Sequence, residues 1–375
     1  MDTRWKIHKF GGSSLADADC FRRVAGLMLD RDDARVGVVV SAMGGMTDAL
    51  LSLVMHAERD DETFIAELNA IGERYTETAQ ALLEGTALVG VLDAWSKDAE
   101  DIRDVLKAVA LVKSAQQRSR DVVAGYGEIW SARMLAALLG QLDSNRGGTW
   151  IDARQVITVA GTELGPTVQW ARSQANFDGL VAADFNGVAA ITGFIASDED
   201  GLQTTLGRNG SDYSAAIFAA LSKADELSIW TDVDGVMSAD PNRVPEARVI
   251  DQLTYNEAME LAYFGAKVIH PQTLGPAVDN DIPVIIRNSF NPDHPGSRIQ
   301  AAPATEEDIK GITAISGMAL VNLEGSGMIG VPGTADRLFA ALKEAGVSVT
   351  LISQASSEHS ICIAVPQDLA QRARD

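Results

Sequence analysis

Two strand-like runs near the N-terminus each end in a pair of glycines, and that repetition limits the folds open to the chain. Residues 5–10 read as a strand that runs into Gly11-Gly12-Ser13-Ser14, and a helical stretch follows at 18–29. Arg35-Val36-Gly37-Val38-Val39-Val40 is a β-branched run suited to a strand buried on both faces, and it ends at Ser41-Ala42-Met43-Gly44-Gly45. Residues 47–143 carry alanine and leucine at three- and four-residue spacing and are expected to be mostly helical. Strand-like segments return at 149–151, 181–183, 190–194, 226–231 and 283–287. Strands alternating with helices imply an α/β protein of three layers, a mostly parallel sheet between two layers of helices.

Composition shifts at Ala301-Ala302-Pro303-Ala304-Thr305-Glu306-Glu307-Asp308, which reads as a linker. Beyond it, 309–323 looks like a strand, 333–345 a helix, and 347–353 and 359–365 two more strands. Strand–helix–strand–strand is most of a ferredoxin-like unit, which needs one more helix and one more strand. The sequence stops at Asp375 as that helix would begin, so the expectation is a large domain at 1–300 and a truncated small one at 309–375. The 375 residues suit two domains at about 150 residues each.

The formal net charge is −21, from 31 basic and 52 acidic residues. A chain this acidic repels nucleic acid and anionic membrane, so neither is an expected partner. Any anionic ligand must be held by local basic side chains, backbone N–H groups or a bridging cation. The two cysteines, Cys20 and Cys362, give neither a disulfide framework nor a metal-ligand spacing, which suits a reducing cytoplasm. No signal-like N-terminal segment and no apolar run of about 20 residues is expected to meet a membrane.

Five segments carry chemistry. Lys9-Phe10-Gly11-Gly12-Ser13-Ser14 sets a lysine at a strand end before a glycine turn. Backbone there can approach a phosphate while the lysine offsets its charge, although a plain strand–turn–helix with a surface lysine reads the same way. Ser41 and Thr47 flank the second glycine turn at the carboxyl end of a strand, where ligand crevices form; Thr47 could equally be a helix N-cap. Gly127-Glu128 places one carboxylate just inside an apolar helix start, suited to capping, solvation or a ligand ammonium. Leu206-Gly207-Arg208-Asn209-Gly210-Ser211-Asp212 packs a guanidinium and a carboxylate between a strand and an apolar helix. Arg208 can fork onto a carboxylate there, and Asp212 can orient an amine or hold a water or metal, although Asn209-Gly210 also suits a plain tight turn. Trp230-Thr231-Asp232-Val233-Asp234 ends a strand with paired carboxylates that suit ribose hydroxyls or hydrated Mg²⁺. Further on, Lys267 adds a basic group, while His270 beside Pro271 reads as structural.

Taken together, these runs resemble the aspartate kinase branch of the amino-acid kinase family. The likeness rests on 9–14, 127–128, 206–215, 230–236 and Glu260 through Pro271, in the family's order, and is strongest toward the kinase half of bifunctional aspartokinase–homoserine dehydrogenases. After 309, Gly325-Ser326-Gly327-Met328 and Ser353-Gln354-Ala355-Ser356-Ser357-Glu358 are similar to that family's ACT regulatory module.

The resemblance implies phosphorylation of the L-aspartate side chain by ATP with Mg²⁺, the opening step of lysine, threonine and methionine biosynthesis. It implies that Lys9 and the Gly11, Gly12 and Ser13 amides hold the transferred phosphoryl, with Lys267 helping from the nucleotide side. Arg208 would take the α-carboxylate, Glu128 the ammonium, and Ser41, Thr47 and Phe194 would shape the amino-acid pocket. Asp212 would orient Lys9, and Thr231 and Asp232 would contact the nucleotide; no protein metal site is implied. Met237 and Asn242 stand where many members carry tyrosine and arginine, so those two nucleotide contacts are not carried over. An amino-acid effector such as threonine or lysine and a homo-oligomer are also expected. Two other readings stay open: another carboxylate kinase of this fold, such as an acetylglutamate kinase, and a non-catalytic amino-acid sensor.

Overall fold

A computed structural model describes residues 4–59, 63–162, 165–263, 271–302, 309–328, 331–354 and 359–375. Two compact units emerge, Met1–Ile312 and Thr313–Asp375. The larger opens with β1 (Trp5–Phe10), α1 (Ala18–Leu29) and β2 (Arg35–Val40). Helices α2 (Met46–Glu58), α3 (Thr63–Leu82), α4 (Gly85–Val112) and α5 (Gln117–Leu142) come next. After β3 (Thr149–Ile151), a hairpin of β4 (Val159–Thr162) and β5 (Gly165–Val168) leads to α6 (Trp170–Leu180) and β6 (Gly187–Thr192). A second hairpin, β7 (Ile195–Ser197) with β8 (Gln203–Thr205), precedes α7 (Gly210–Ser222) and β9 (Glu226–Thr231). The unit closes with β10 (Gln252–Thr254), α8 (Tyr255–Tyr263), α9 (Pro271–Asp279), β11 (Val284–Asn288) and β12 (Ser297–Gln300).

Eight strands form one sheet in the order β10-β12-β11-β9-β1-β2-β6-β3. Every pairing is parallel except β11 with β12. Phe10 lies opposite Val40 on one side and Trp230 on the other, and Val40 lies opposite Thr192. The carboxyl ends of β1, β2, β6 and β9 therefore finish in one row, and their loops emerge together.

Alternate side chains of the buried strands feed two cores. Phe10, Val38, Val40 and Trp230 pack with Phe21, Leu53, Tyr75 and Trp130 on one face. Ile7, Val39, Ile191 and Ile229 pack with Phe218 and Leu274 on the other. This is the three-layer α/β arrangement that the alternation of patterns implies. The helical layer on the first face is pinned by a buried carboxylate: Asp98 of α4 accepts from Trp130 Nε1 at 3.0 Å and Arg133 Nη1 at 2.5 Å, both on α5. Arg133 also lies over the Trp150 ring, 4.8 Å from its centroid. Among the described residues α5 alone is long and apolar enough to cross a membrane, and 83% of that stretch is buried in this core.

The smaller unit holds β13 (Met318–Glu324), α10 (Thr334–Glu344), β14 (Leu351–Gln354), β15 (Ser360–Pro366) and α11 (Ala370–Arg374). Its antiparallel sheet runs β13-β15-β14, with Leu342, Val347, Ile361, Ile363 and Val365 as its core.

Two expected strands differ. Residues 181–183 form none: Val181 ends α6, its N–H bonded to Phe177 O, and no neighbouring strand pairs with the segment. Of 309–323, only the part from Met318 onward is strand, and Ile309 and Ile312 are exposed. Apolar β-branched composition reads as a strand whether or not a pairing partner exists.

Asp98→Ala strands the Arg133 guanidinium and the Trp130 N–H in the interior, and is expected to cost about 3–5 kcal/mol. The urea unfolding midpoint of the variant against the parent measures it; an unchanged midpoint would mean that α4 and α5 do not depend on this carboxylate.

Candidate active site

Lys9 is the penultimate residue of β1, held between two strands, so its side chain has little freedom. Its Nζ lies 2.7 Å from Asp212 Oδ1, in the first turn of α7. Both side chains are largely buried, which makes the pair stronger and more fixed than a surface ion pair. The chain enters α7 through Gly207 (φ 77°) and Asn209 (φ 54°), two left-handed residues that turn it sharply. After Phe10 the chain makes a single helical turn, Gly12–Leu15. A Cβ on Gly12 would lie 3.0 Å from the Ala42 carbonyl oxygen, so the two glycine turns touch backbone to backbone.

Ser41 Oγ is 2.7 Å from Ser211 Oγ, which joins the end of β2 to the start of α7. The N-cap of α2 is Gly45 in a left-handed conformation, and Thr47 is the second helical residue instead of the cap. Phe194 is also left-handed (φ 68°); Ser214 Oγ accepts its N–H at 2.9 Å, and its ring packs so tightly on Gly210 that a Cβ there would come within 2.6 Å.

Glu128 lies in the middle of α5, not at a helix start, and is 4% exposed. Its Oε2 is buried without a hydrogen-bond partner. Burial pushes its carboxyl up to about 8, against the smaller opposing pull of the Ala42 backbone N–H. Among the described residues no cationic side chain opposes that shift. Arg208, by contrast, is exposed and forms no hydrogen bond or ion pair among the described residues. A buried carboxylate without a cation and a guanidinium without an anion are complementary to a small ligand that carries both charges.

At the end of β9, Asp232 is exposed and accepts from Thr231 Oγ1 at 3.1 Å. Asp234 is occupied: Asn288 Nδ2 donates to it at 2.8 Å and Asn291 Nδ2 at 3.1 Å, which holds its carboxyl below the usual range. The paired carboxylates thus divide into one structural and one free. Met237 bridges to Val249, and Asn242 folds back onto the Asp240 carboxylate. Lys267 and His270 lie outside the described residues.

Two further residues near the site, Ser289 and Arg74, have no counterpart in the motifs. Ser14 Oγ and Ser289 Oγ are 2.9 Å apart, and Ser289 Oγ donates to Thr231 O at 3.2 Å, linking the first glycine turn to the end of β9. Ser289 follows β11, and a search of strand carboxyl ends would have found it. Arg74, on α3, donates to the carbonyls of Ala16 and Gly44 at 3.0 and 2.9 Å. Nothing in the local sequence of α3 marks it. Among the described residues no three carboxylate, imidazole or thiol groups converge as a metal site.

Comparison with known proteins agrees with this layout. The profile of the Amino acid kinase family matches residues 4–288, and that of an ACT domain matches 321–375. Bifunctional aspartokinase/homoserine dehydrogenase 1, chloroplastic, from Arabidopsis thaliana is 42% identical over 371 residues, covering 97% of this chain and 40% of the relative. The chain thus spans about two fifths of the length of that relative. E. coli aspartokinase III in complex with lysine and aspartate (T-state) superposes with a TM-score of 0.79 at 30% identity, over 96% of this chain and 78% of that one. The same enzyme in complex with aspartate and ADP (R-state) gives the same TM-score, identity and coverage.

The state of Glu128 is open to measurement. The folded chain keeps its proton to about pH 8, whereas an unfolded glutamate releases it near pH 4.5. Between those values the folded state binds the extra proton, so stability is greatest below about pH 4.5 and is lost as pH rises toward 8. Wild type should lose a few kcal/mol between pH 5 and 8 that Glu128→Gln retains. Parallel pH profiles of urea stability for the two would show the difference; coincident profiles would place an unseen cation beside Glu128.

Proposed function

Because the chain belongs to the amino acid kinase family, we propose that it is an aspartate kinase, transferring the γ-phosphoryl group of ATP to the side-chain carboxylate of L-aspartate. The products are 4-phospho-L-aspartate and ADP. The observation that carries this reading is the Lys9–Asp212 pair beside two touching glycine turns, with the unbalanced carboxylate of Glu128 bonded to the second turn at Ala42.

The nucleophile is already a carboxylate, so no base is required. An aspartate side-chain oxygen attacks the γ-phosphorus, and the bond to the bridging oxygen breaks with its electron pair leaving on ADP. Lys9 and the N–H groups of Gly11, Gly12 and Ser13 face the charge that spreads over the transferred oxygens, and Asp212 keeps the ammonium in place. Arg208 takes the substrate α-carboxylate and Glu128 its ammonium, whose charge makes the ionised form of Glu128 tenable. Ser41, Thr47 and Phe194 shape the pocket between them. Thr231 and Asp232 reach the nucleotide from the end of β9, and Lys267 is assigned to the same side.

Asp212 and Asp232 are the carboxylates that would hold Mg²⁺ brought with the nucleotide, since no three ligating groups converge among the described residues. It would supply further positive charge at the phosphates. In the smaller unit a cavity of about 310 Å³ between Met328, Pro332, Thr334, Gln354 and Ile361 supports an amino-acid effector, threonine or lysine.

Release of ADP that depends on L-aspartate, with the acyl phosphate trapped by hydroxylamine as a hydroxamate, tests the proposal. Turnover with N-acetylglutamate but not aspartate would point to another carboxylate kinase, and effector binding without any turnover to a sensor. Lys9→Ala should lower kcat at least ~100-fold with little change in the KM for aspartate; near-normal turnover would remove Lys9 from the chemistry. Arg208→Ala should weaken aspartate far more than ATP, a truncated guanidinium–carboxylate contact costing ~2–4 kcal/mol. A larger loss for the nucleotide would move Arg208 to the phosphate site.

A further inference from the structure

The two glycine turns are bridged by a side chain from the helical layer. Arg74 lies halfway along α3, and its Nη2 donates to both Ala16 O at 3.0 Å and Gly44 O at 2.9 Å. Ala16 closes the turn that follows β1, and Gly44 belongs to the turn that follows β2. Where the turns meet there is no room for side chains: a Cβ on Gly44 would lie 3.2 Å from Gly12 O and 3.5 Å from Ala16 Cβ. Two stretches of backbone with carbonyl oxygens at their contact repel each other unless a donor lies between them. Among the described residues no other side chain hydrogen-bonds to both turns, and Arg74 has no carboxylate partner. Several other arginines of this acidic chain are paired with carboxylates, as Arg120 is with Glu58 and Arg118 with Asp198. The charge of Arg74 is committed to backbone carbonyls instead.

The planarity of the peptide gives that bond a consequence. Fixing the direction of the Gly44 carbonyl also fixes that of the Gly45 N–H, which points the opposite way across the same peptide plane. Gly45 caps α2 with a left-handed backbone and no side chain to hold it, so the Arg74 bond sets its orientation. We propose that Arg74 is a positioning residue for phosphoryl transfer, holding the turns at 11–16 and 42–45 at the spacing that lets Lys9 and the backbone donors meet the transferred group. The assignment rests on the kinase reading given above.

The test uses the full chain and three proteins, wild type, Arg74→Met and Arg74→Lys, with kcat, both KM values and thermal stability measured for each. Methionine keeps the aliphatic bulk without the donors, and kcat should fall about 10- to 100-fold with both KM values within about threefold. A lysine ammonium can still donate to two carbonyls, so Arg74→Lys should recover kcat to within about fivefold of wild type. Thermal midpoints of the two variants should agree within a few degrees. An Arg74→Met kcat within twofold of wild type would show that the turns hold themselves and overturn the assignment. So would equal losses in both variants that follow their thermal midpoints, since the residue would then be only structural. Wild type that releases no ADP with L-aspartate overturns the kinase reading and this assignment with it, whereas an active wild type with an unaffected Arg74→Met overturns this assignment alone.

Discussion

The in-register parallel pairing of β1 with β2 on one side and β9 on the other governs the larger unit. Strand ends in a parallel sheet face the same way, so three loops that are distant in sequence are delivered to one edge. Phe10, Val40 and Trp230 stand in one row, and the Phe10 ring stacks on Trp230 with centroids 5.4 Å apart. This apolar row closes the top of the core, and the polar site begins one residue later with Gly11, Ser41 and Thr231. Lys9 is an exception that the row makes possible. Opposite Val39 and Ile229, it is carried into the buried face, where Asp212 at the start of α7 meets its charge.

The site sets two carboxylates in opposite circumstances. Asp212 is satisfied by a lysine of the same chain, which leaves the pair rigid and able to present one ammonium face. Glu128 is buried with no cationic partner among the described residues, and burial favours its neutral form. The first is held in an ion pair; the second keeps one buried oxygen without a hydrogen-bond partner among the described residues. Desolvation separates the two roles without any difference in residue chemistry beyond one methylene.

Much of the scaffold was legible in the residues. The helix at 18–29 and the strands at 149–151 and 226–231 fall where their patterns place them; Asp17 caps that helix by accepting from Cys20 N at 2.9 Å. The depth of Glu128 was not legible because the middle of α5 is apolar nearly all round, so no polar face betrays which side is buried. Asp232 and Asp234 look alike in sequence, and only the asparagines of a strand end more than fifty residues away distinguish them. Arg74 was invisible for a related reason. An arginine on an amphipathic helix reads as solvated, and its partners are carbonyls, which carry no sequence identity at all.

The sheet order also sets when the site can come into being. Lys6 pairs with Glu226, so closing β1 onto β9 joins residues 220 positions apart. Contacts of such long range cost loop-closure entropy before they return any stabilisation, and they slow folding. A chain emerging from the ribosome exposes residues 5–40 well before residue 212 or 231 exists. Before those residues are made, Lys9 has no Asp212 to meet and the first glycine turn has no Ser289. The meeting of Lys9 with Asp212 and of Ser14 with Ser289 is therefore a property of the assembled sheet and of no smaller piece of it.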